Sequence, residues 1–277
     1  MRLVALAALA VLALAANSPL TRAGVADGTD PLVFAGLRVA AGAAVLVLLA
    51  RGRPPLRGRR RWGAALALAA YLLGFSLAYR SLDAGLGAFV LFGTVQVALM
   101  GAGLARGERL PARAWIGAAA ALAGLGALML PGAGAGGALD LALMAGAGLA
   151  WAGYSLAGKG EAAGAIPATA GNFVLATAML LPVVALAGGG ATSGGVAWAL
   201  LSGGITSGLG YALLYTVLPR LAVSTAGVVQ LGAPVAATAM GAAFLGEAVT
   251  PAMALAGALV LGGIALATQP TIRSKGS

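Results

Sequence analysis

The chain has no cysteine and no histidine, and only seven of its 277 residues are acidic. Disulfides, thiolate chemistry and imidazole metal sites are excluded by those absences. No nucleophile–base pair or metal-ligand set can be assembled, so no catalytic residue, metal or cofactor is expected. Charge of either sign is scarce: 9% of residues are charged and 61% are hydrophobic, far from the balance of a soluble domain. What fills the chain instead is apolar sequence in runs of about 20 residues, ten times over. That is the length a helix needs to cross a hydrocarbon core of roughly 30 Å.

The ten runs fall near residues 3–21, 31–50, 62–80, 86–104, 112–130, 138–158, 165–187, 195–217, 222–244 and 251–268. The segments between them are too short to fold as separate domains. Unpaired backbone groups are not tolerated in lipid, and these runs are too long and uniformly apolar for barrel strands. The expected fold is an all-α integral membrane bundle of ten transmembrane helices. Residues 1–16 also imitate a signal peptide, with Arg2, an apolar stretch and the small-residue site Ala13-Leu14-Ala15. Cleavage there would leave nine spans and break the repeat described below, so the run is read as the first helix.

A net charge of +10 would suggest nucleic acid in a soluble protein, but its distribution argues against that. Fourteen of the 17 basic residues fall in alternate loops, on the side that also carries both termini. They include Arg51, Arg53, Arg57, Arg59, Arg60 and Arg61, and then Arg106, Arg109 and Arg113. Positive charge is retained in the cytoplasm, so both termini are expected there, in a multi-pass protein of the bacterial inner membrane. The Arg51–Arg61 cluster reads as a topology anchor, with contact to anionic lipid as the other reading. The lipid bilayer and a small-molecule substrate are the expected partners; nucleic acid is not, and a homodimer is left open.

The fourth and fifth runs align with the ninth and tenth at a constant offset of 139 residues. In that register Leu82 matches Leu221, Val90 matches Val229 and Gly93 matches Gly232. Gly107-Glu108 matches Gly246-Glu247, Leu122 matches Leu261, and Gly124 matches Gly263. Five spans per half is an odd number, so the halves, residues 1–131 and 132–277, would insert with opposite orientation. Glu108 would then lie inside and Glu247 outside. Inverted repeats of this kind belong to secondary transporters, with a site near the midplane.

The stretch "ARGERLPARAWIGAAAALAGLGALML" and the stretch "LGAPVAATAMGAAFLGEAVTPAMALAGALVLGGIALAT" resemble the two repeats of the EamA family of the drug/metabolite transporter superfamily. "FAGLRVAAG" around Arg38 and "GLAWAGYSLAGKG" around Trp151 are similar to that family's second and sixth helices. The resemblance covers nearly the whole chain. It implies a ten-helix bundle around a central cavity, and export of amino acids or small metabolites. One departure is that the proline of the family's fourth helix, present in the second half as Pro234, is Val95 in the first.

Arg38 is the formal charge placed well inside a run, at a cost of at least about 2.5–3.5 kcal/mol on insertion scales. It either attracts a substrate carboxylate or serves as a structural cation, on helix-terminal carbonyls or towards Asp30. Tyr71, Phe75 and Tyr79 recur every four residues on one face of the third helix, as Tyr211 and Tyr215 do on the eighth. Trp151 and Tyr154 lie on the sixth. Asn17, Gln96, Asn172 and Gln230 place amides in the first, fourth, seventh and ninth helices, as interhelical glue or as ligand contacts. Together these tyrosines and amides suit a zwitterion better than a polyanion. Trp62, Trp115 and Trp198 begin runs and read as interface anchors. Gly204 and Gly208 allow close helix approach on the eighth helix, and with Pro234 they are the hinge or packing candidates. The two Gly-Glu pairs read as capped hairpins, or else as gates. Thr250-Pro251 opens the tenth helix and Gly246 closes the ninth.

No carboxylate or histidine occupies a midplane position, where proton relays place one. A facilitator or exchanger is therefore expected. A multidrug or cationic exporter would want a cavity carboxylate. An integral membrane enzyme such as a prenyl transferase could use Asp27-Gly-Thr-Asp30 as half of a diphosphate site, but a second acidic cluster is missing, and turn chemistry explains the pair better.

Overall fold

The computed structural model describes residues 2–107, 111–128, 136–158, 164–217 and 223–268. Among these the fold is entirely helical. In the order of the ten runs, α1 comprises Arg2–Ala15 and Asn17–Ala26, α2 is Pro31–Leu49, α3 is Arg59–Ala78, α4 is Ala84–Ala105 and α5 is Ala112–Leu128. The second half repeats the count: α6 is Ala138–Ala157, α7 is Ala165–Ala187, α8 runs from Ser193 to Val217, α9 is Val223–Leu245 and α10 is Pro251–Thr268. Seven stretches among the described residues are long and apolar enough to cross a membrane. Gly232–Leu245 and Pro251–Leu266 are shorter apolar helices. The chain is a multi-pass membrane protein.

Two boundaries differ from the sequence expectation. The first helix continues to Ala26, interrupted at Ala16, because Pro19 has no N–H to give the carbonyl four residues earlier. The third begins at Arg59, so Arg59, Arg60 and Arg61 form its first turn and are not loop residues. The eighth helix departs further. Its central stretch, Leu201–Leu209, is a π-helix, flanked by α-helical Ser193–Leu200 and Gly210–Val217. A π segment is wider than an α-helix, is rare, and is often found at functional sites.

The most extensive helix pairings recur when five is added to both helix numbers. Thus α2 packs on α7, α4 on α9 and α5 on α10, each on its own counterpart. Likewise α3 packs on α6 as α8 does on α1, and α4 on α6 as α9 does on α1. Small residues make these approaches possible. Added Cβ atoms at Gly148 and Gly74 would lie 2.9 Å and 3.0 Å from the carbonyl oxygens of Leu91 and Leu143.

The turns follow local chemistry. Gly107 and Gly246, the glycines of the repeated pair, both have positive φ, at +81° and +68°. That is the left-handed conformation that closes a helix without a Cβ penalty. Thr250 Oγ1 accepts from Met253 N at 3.1 Å, capping α10 ahead of Pro251 as expected. Glu108 lies outside the described residues.

Candidate functional site

Arg38 is carried by α2 and is only 1% exposed. Its Nε donates to Ser207 Oγ of the π segment at 3.4 Å, and Nη2 donates to Tyr71 Oη of α3 at 3.2 Å. The guanidinium lies over two rings of α3, with Cζ 4.9 Å from the Phe75 centroid and 5.6 Å from that of Tyr71. Nη1 is enclosed and has no hydrogen-bond partner. Asp30 does not take up the charge. Its carboxylate caps α2, accepting from Leu32 N at 2.8 Å and Val33 N at 3.2 Å. That removes one of the two structural alternatives for this arginine.

A continuous set of rings adjoins Arg38. Tyr71 meets Trp151 of α6 at 4.8 Å between centroids, and Trp151 stacks on Tyr211 of α8 at 5.5 Å. Phe173 of α7 stands edge-on to Tyr211 at 5.8 Å, and Tyr154 touches Trp151 at 5.3 Å. Along α3, Phe75 joins Tyr71 to Tyr79. The four-residue spacing does place these three on one face. Tyr79 is fully buried, and its hydroxyl donates to the Ala84 carbonyl at the start of α4. It therefore extends the column to the bundle end rather than facing Arg38 directly.

Asn17 sits at the interruption of α1. Its amide nitrogen donates to the Leu14 carbonyl, and its Oδ1 accepts from Ser202 and Thr206, each at 2.7 Å, and from Ser207 at 3.1 Å. Ser207 thus links Asn17 to Arg38, joining α1, α8, α2 and α3 through bonds to neutral acceptors. The π segment also meets the arginine's backbone: a Cβ on Gly203 would overlap the Arg38 carbonyl oxygen. Gly203 is the tight glycine here. At Gly204 a Cβ would meet only Val45, at 3.6 Å, whereas at Gly208 it would press on Val45 at 2.9 Å.

The remaining expected residues are dispersed. Asn172 of α7 is buried at the other end of the bundle, where its Oδ1 accepts from Arg61 Nη1 at 3.2 Å. Arg61 also donates to the Ala168 carbonyl at 2.9 Å and is 7% exposed, so it braces α3 on α7 instead of lying in a loop. Gln96 is partly buried on α4, and Pro234 is buried within α9. The side chains of Tyr215 and Gln230 lie outside the described residues. Sequence reasoning missed Phe173, Gly203 and the three hydroxyls. The spacing of Ser202 and Thr206 by four, opposite a buried asparagine, was the available signal.

The bundle end that carries Tyr79 is tied by polar bonds. Both oxygens of Glu247, between α9 and α10, accept from the Ala84 amide at 2.9 and 2.8 Å. Arg22 of α1 lies 3.9 Å from the same carboxylate and donates to the Tyr79 and Arg80 carbonyls. Arg80 pairs with Asp140 at 3.5 Å, and Asp27 accepts from Thr192 at 2.5 Å. Asp27 and Asp30 are thus both engaged in turn and cap bonds. Burial pushes the Glu247 carboxyl above its ordinary value of 4.5, against the pull of the Ala84 amide and Arg22.

A helical multi-pass bundle with a buried cation beside a ring cluster defines a membrane protein with a polar point inside its apolar interior. The model of the EamA-like transporter family matches residues 139–269. An uncharacterized protein of Pseudomonas aeruginosa, PA1977, is 46% identical over 279 residues, covering 98% of this chain and 96% of that one. The chain belongs to the EamA-like transporter family. A solved structure titled only "Crystal structure of protein" shares the fold, with a TM-score of 0.66 over 97% of this chain and 98% of that one, at 20% identity.

Proposed function

We propose that this protein is a secondary transporter, not an enzyme, exporting amino acids or related small metabolites across the bacterial inner membrane. Membership of a transporter family supports the class of function. The observation that carries the site is Arg38: a buried cation with an unused donor, set against Tyr71, Phe75 and the Trp151–Tyr211 stack. Charge inside a bilayer is retained where it meets a partner or a substrate.

Residues 1–131 and 132–277 act as two inverted five-helix repeats, with both termini cytoplasmic, and export proceeds by rocking one repeat on the other. The self-consistent pairing of helices favours this reading. Among the described residues no carboxylate lies deeper in a helix than Asp140, in the first turn of α6. A facilitator or exchanger fits that better than a proton-coupled pump, and a multidrug or cationic exporter fits it less well.

The test is efflux of labelled amino acids from proteoliposomes, with and without a pH gradient. Export that persists without the gradient and weakens in Arg38→Ala is expected; strict dependence on the gradient would overturn the facilitator assignment. Because the chain has no native cysteine, single cysteines at positions 108 and 247 can be labelled cleanly. They should react from opposite faces of the membrane.

A further inference from the structure

A guanidinium keeps its charge at any physiological pH, so Arg38 needs compensation wherever it is buried. The two acceptors it has, Ser207 and Tyr71, are neutral hydroxyls, and Nη1 has none. The described carboxylates are committed or remote: Asp27 to Thr192, Asp30 to the start of α2, Asp140 to Ser81 and Arg80, and Glu247 to Ala84, while Asp83 precedes α4. A ligand anion would satisfy Nη1 with a charge-assisted bond, the strongest class of bond available there.

An ammonium group has no comparable place. The faces of Tyr71 and Phe75, which could receive a cation, already carry Arg38. Trp151 is stacked on Tyr211, and a second positive charge beside Arg38 would be repelled in a medium of low dielectric. Nor does a dianion fit. One cation balances one negative charge, and what surrounds Arg38 is rings and hydroxyls.

From this we infer that the recognised substrate class is the monoanionic organic carboxylate with an apolar body, held through its carboxylate with no requirement for an α-amino group. The inference rests on the transporter reading above and narrows it. Amino acids are then accepted as carboxylates, and their deaminated analogues are accepted as well or better.

The experiment uses the purified full chain with Trp62, Trp115 and Trp198 replaced by phenylalanine, so that Trp151 alone fluoresces. It is titrated near neutral pH with 3-phenylpropionate, phenylalanine, the neutral isostere 3-phenylpropanamide, and phenethylamine. Binding of 3-phenylpropionate at least as tight as that of phenylalanine is expected. The amide and the amine should each bind at least about tenfold more weakly, the loss typical when a charged hydrogen bond is removed. Arg38→Ala should bring the acid down to the level of its amide, with Arg38→Lys in between. Equal binding of acid and amide in the unsubstituted site overturns the inference even if Arg38→Ala fails to fold. So does a clear preference for phenylalanine over 3-phenylpropionate, or no binding by any of the four. Carboxylate-dependent binding without any efflux from proteoliposomes would instead sink the transporter reading and leave this assignment standing. Efflux of phenethylamine as fast as phenylalanine would do the reverse.

Discussion

Gly124 of α5 and Gly263 of α10 meet each other's helix through the same contact, made twice. A Cβ on Gly124 would lie 2.7 Å from the Ala256 carbonyl oxygen and 2.9 Å from Val260 N. One on Gly263 would overlap the Gly117 carbonyl oxygen and lie 2.6 Å from Ala121 N. Adding 139 to 117, 121 and 124 gives 256, 260 and 263, so the two contacts exchange under the sequence register. Backbone touches backbone at both points, the closest approach two helices can make.

Gly124→Ala and Gly263→Ala should therefore each destabilise the bundle, by about 1–3 kcal/mol and by similar amounts, as overpacking does. Gly126→Ala, with nothing within 4 Å of an added Cβ, should be neutral or slightly stabilising. Thermal unfolding in detergent, followed by circular dichroism, compares the three. Unequal losses at 124 and 263 would break the symmetry argument.

On α8 the ranking of adjacent glycines is the prediction. Gly203→Ala forces the π segment away from the Arg38 carbonyl and should cost about 1–3 kcal/mol and most of the transport. Gly204→Ala, which meets only a Val45 methyl at ordinary contact distance, should retain both. Expression, unfolding temperature and efflux rate read the outcome.

Asn17 accepts three hydroxyl hydrogens at one oxygen. Asn17→Leu leaves those donors to find other acceptors; Thr206 already has the Ser202 carbonyl, but Ser207 is also the partner of Arg38 Nε. A loss of about 1–3 kcal/mol is expected, the cost of unsatisfied buried polar groups. Weaker binding of carboxylate ligands should accompany it. Asn17→Ser, which keeps an oxygen near the hydroxyls, should recover part of both.

Glu247 gives the pH dependence. Its carboxyl titrates above the ordinary 4.5 in the folded chain because burial disfavours the charge. Between 4.5 and that raised value the folded chain holds a proton that the unfolded chain has released. Stability contributed by this group therefore falls as pH rises through the window. Glu247→Gln removes the titration but keeps an acceptor for the Ala84 amide. The difference in unfolding temperature, original minus variant, should shrink as pH is raised from 4.5; a difference that grows would reverse the assigned sign.

Much of this was legible in the sequence because the bilayer imposes it. Ten apolar runs, short loops and the 139-residue register needed no tertiary information. The Gly246-Glu247 hairpin could be read from the left-handed preference of glycine and the Thr-Pro start of α10. The site was legible only in part. Arg38, Tyr71, Trp151 and Tyr211 share a neighbourhood, but Tyr79 belongs to the bundle end, and Asn172 belongs to a brace with Arg61. Periodicity says which face of a helix a side chain occupies, and nothing about which other helix stands opposite. The partners of Glu247 were hidden for the same reason: the carboxylate reaches across 163 residues to the amide of Ala84.

By itself, then, the sequence determined that the chain lies in lipid, and it carried a 139-residue register between parts of its two halves. Those properties depend on the length and spacing of apolar segments, which are local and additive. Only the tertiary structure decided that Arg38 is bonded by hydroxyls and stacked on rings while one of its nitrogens has no partner. That outcome depends on which helices cross and how closely their glycines let them approach, and backbone contact between distant segments is written in no single run of residues.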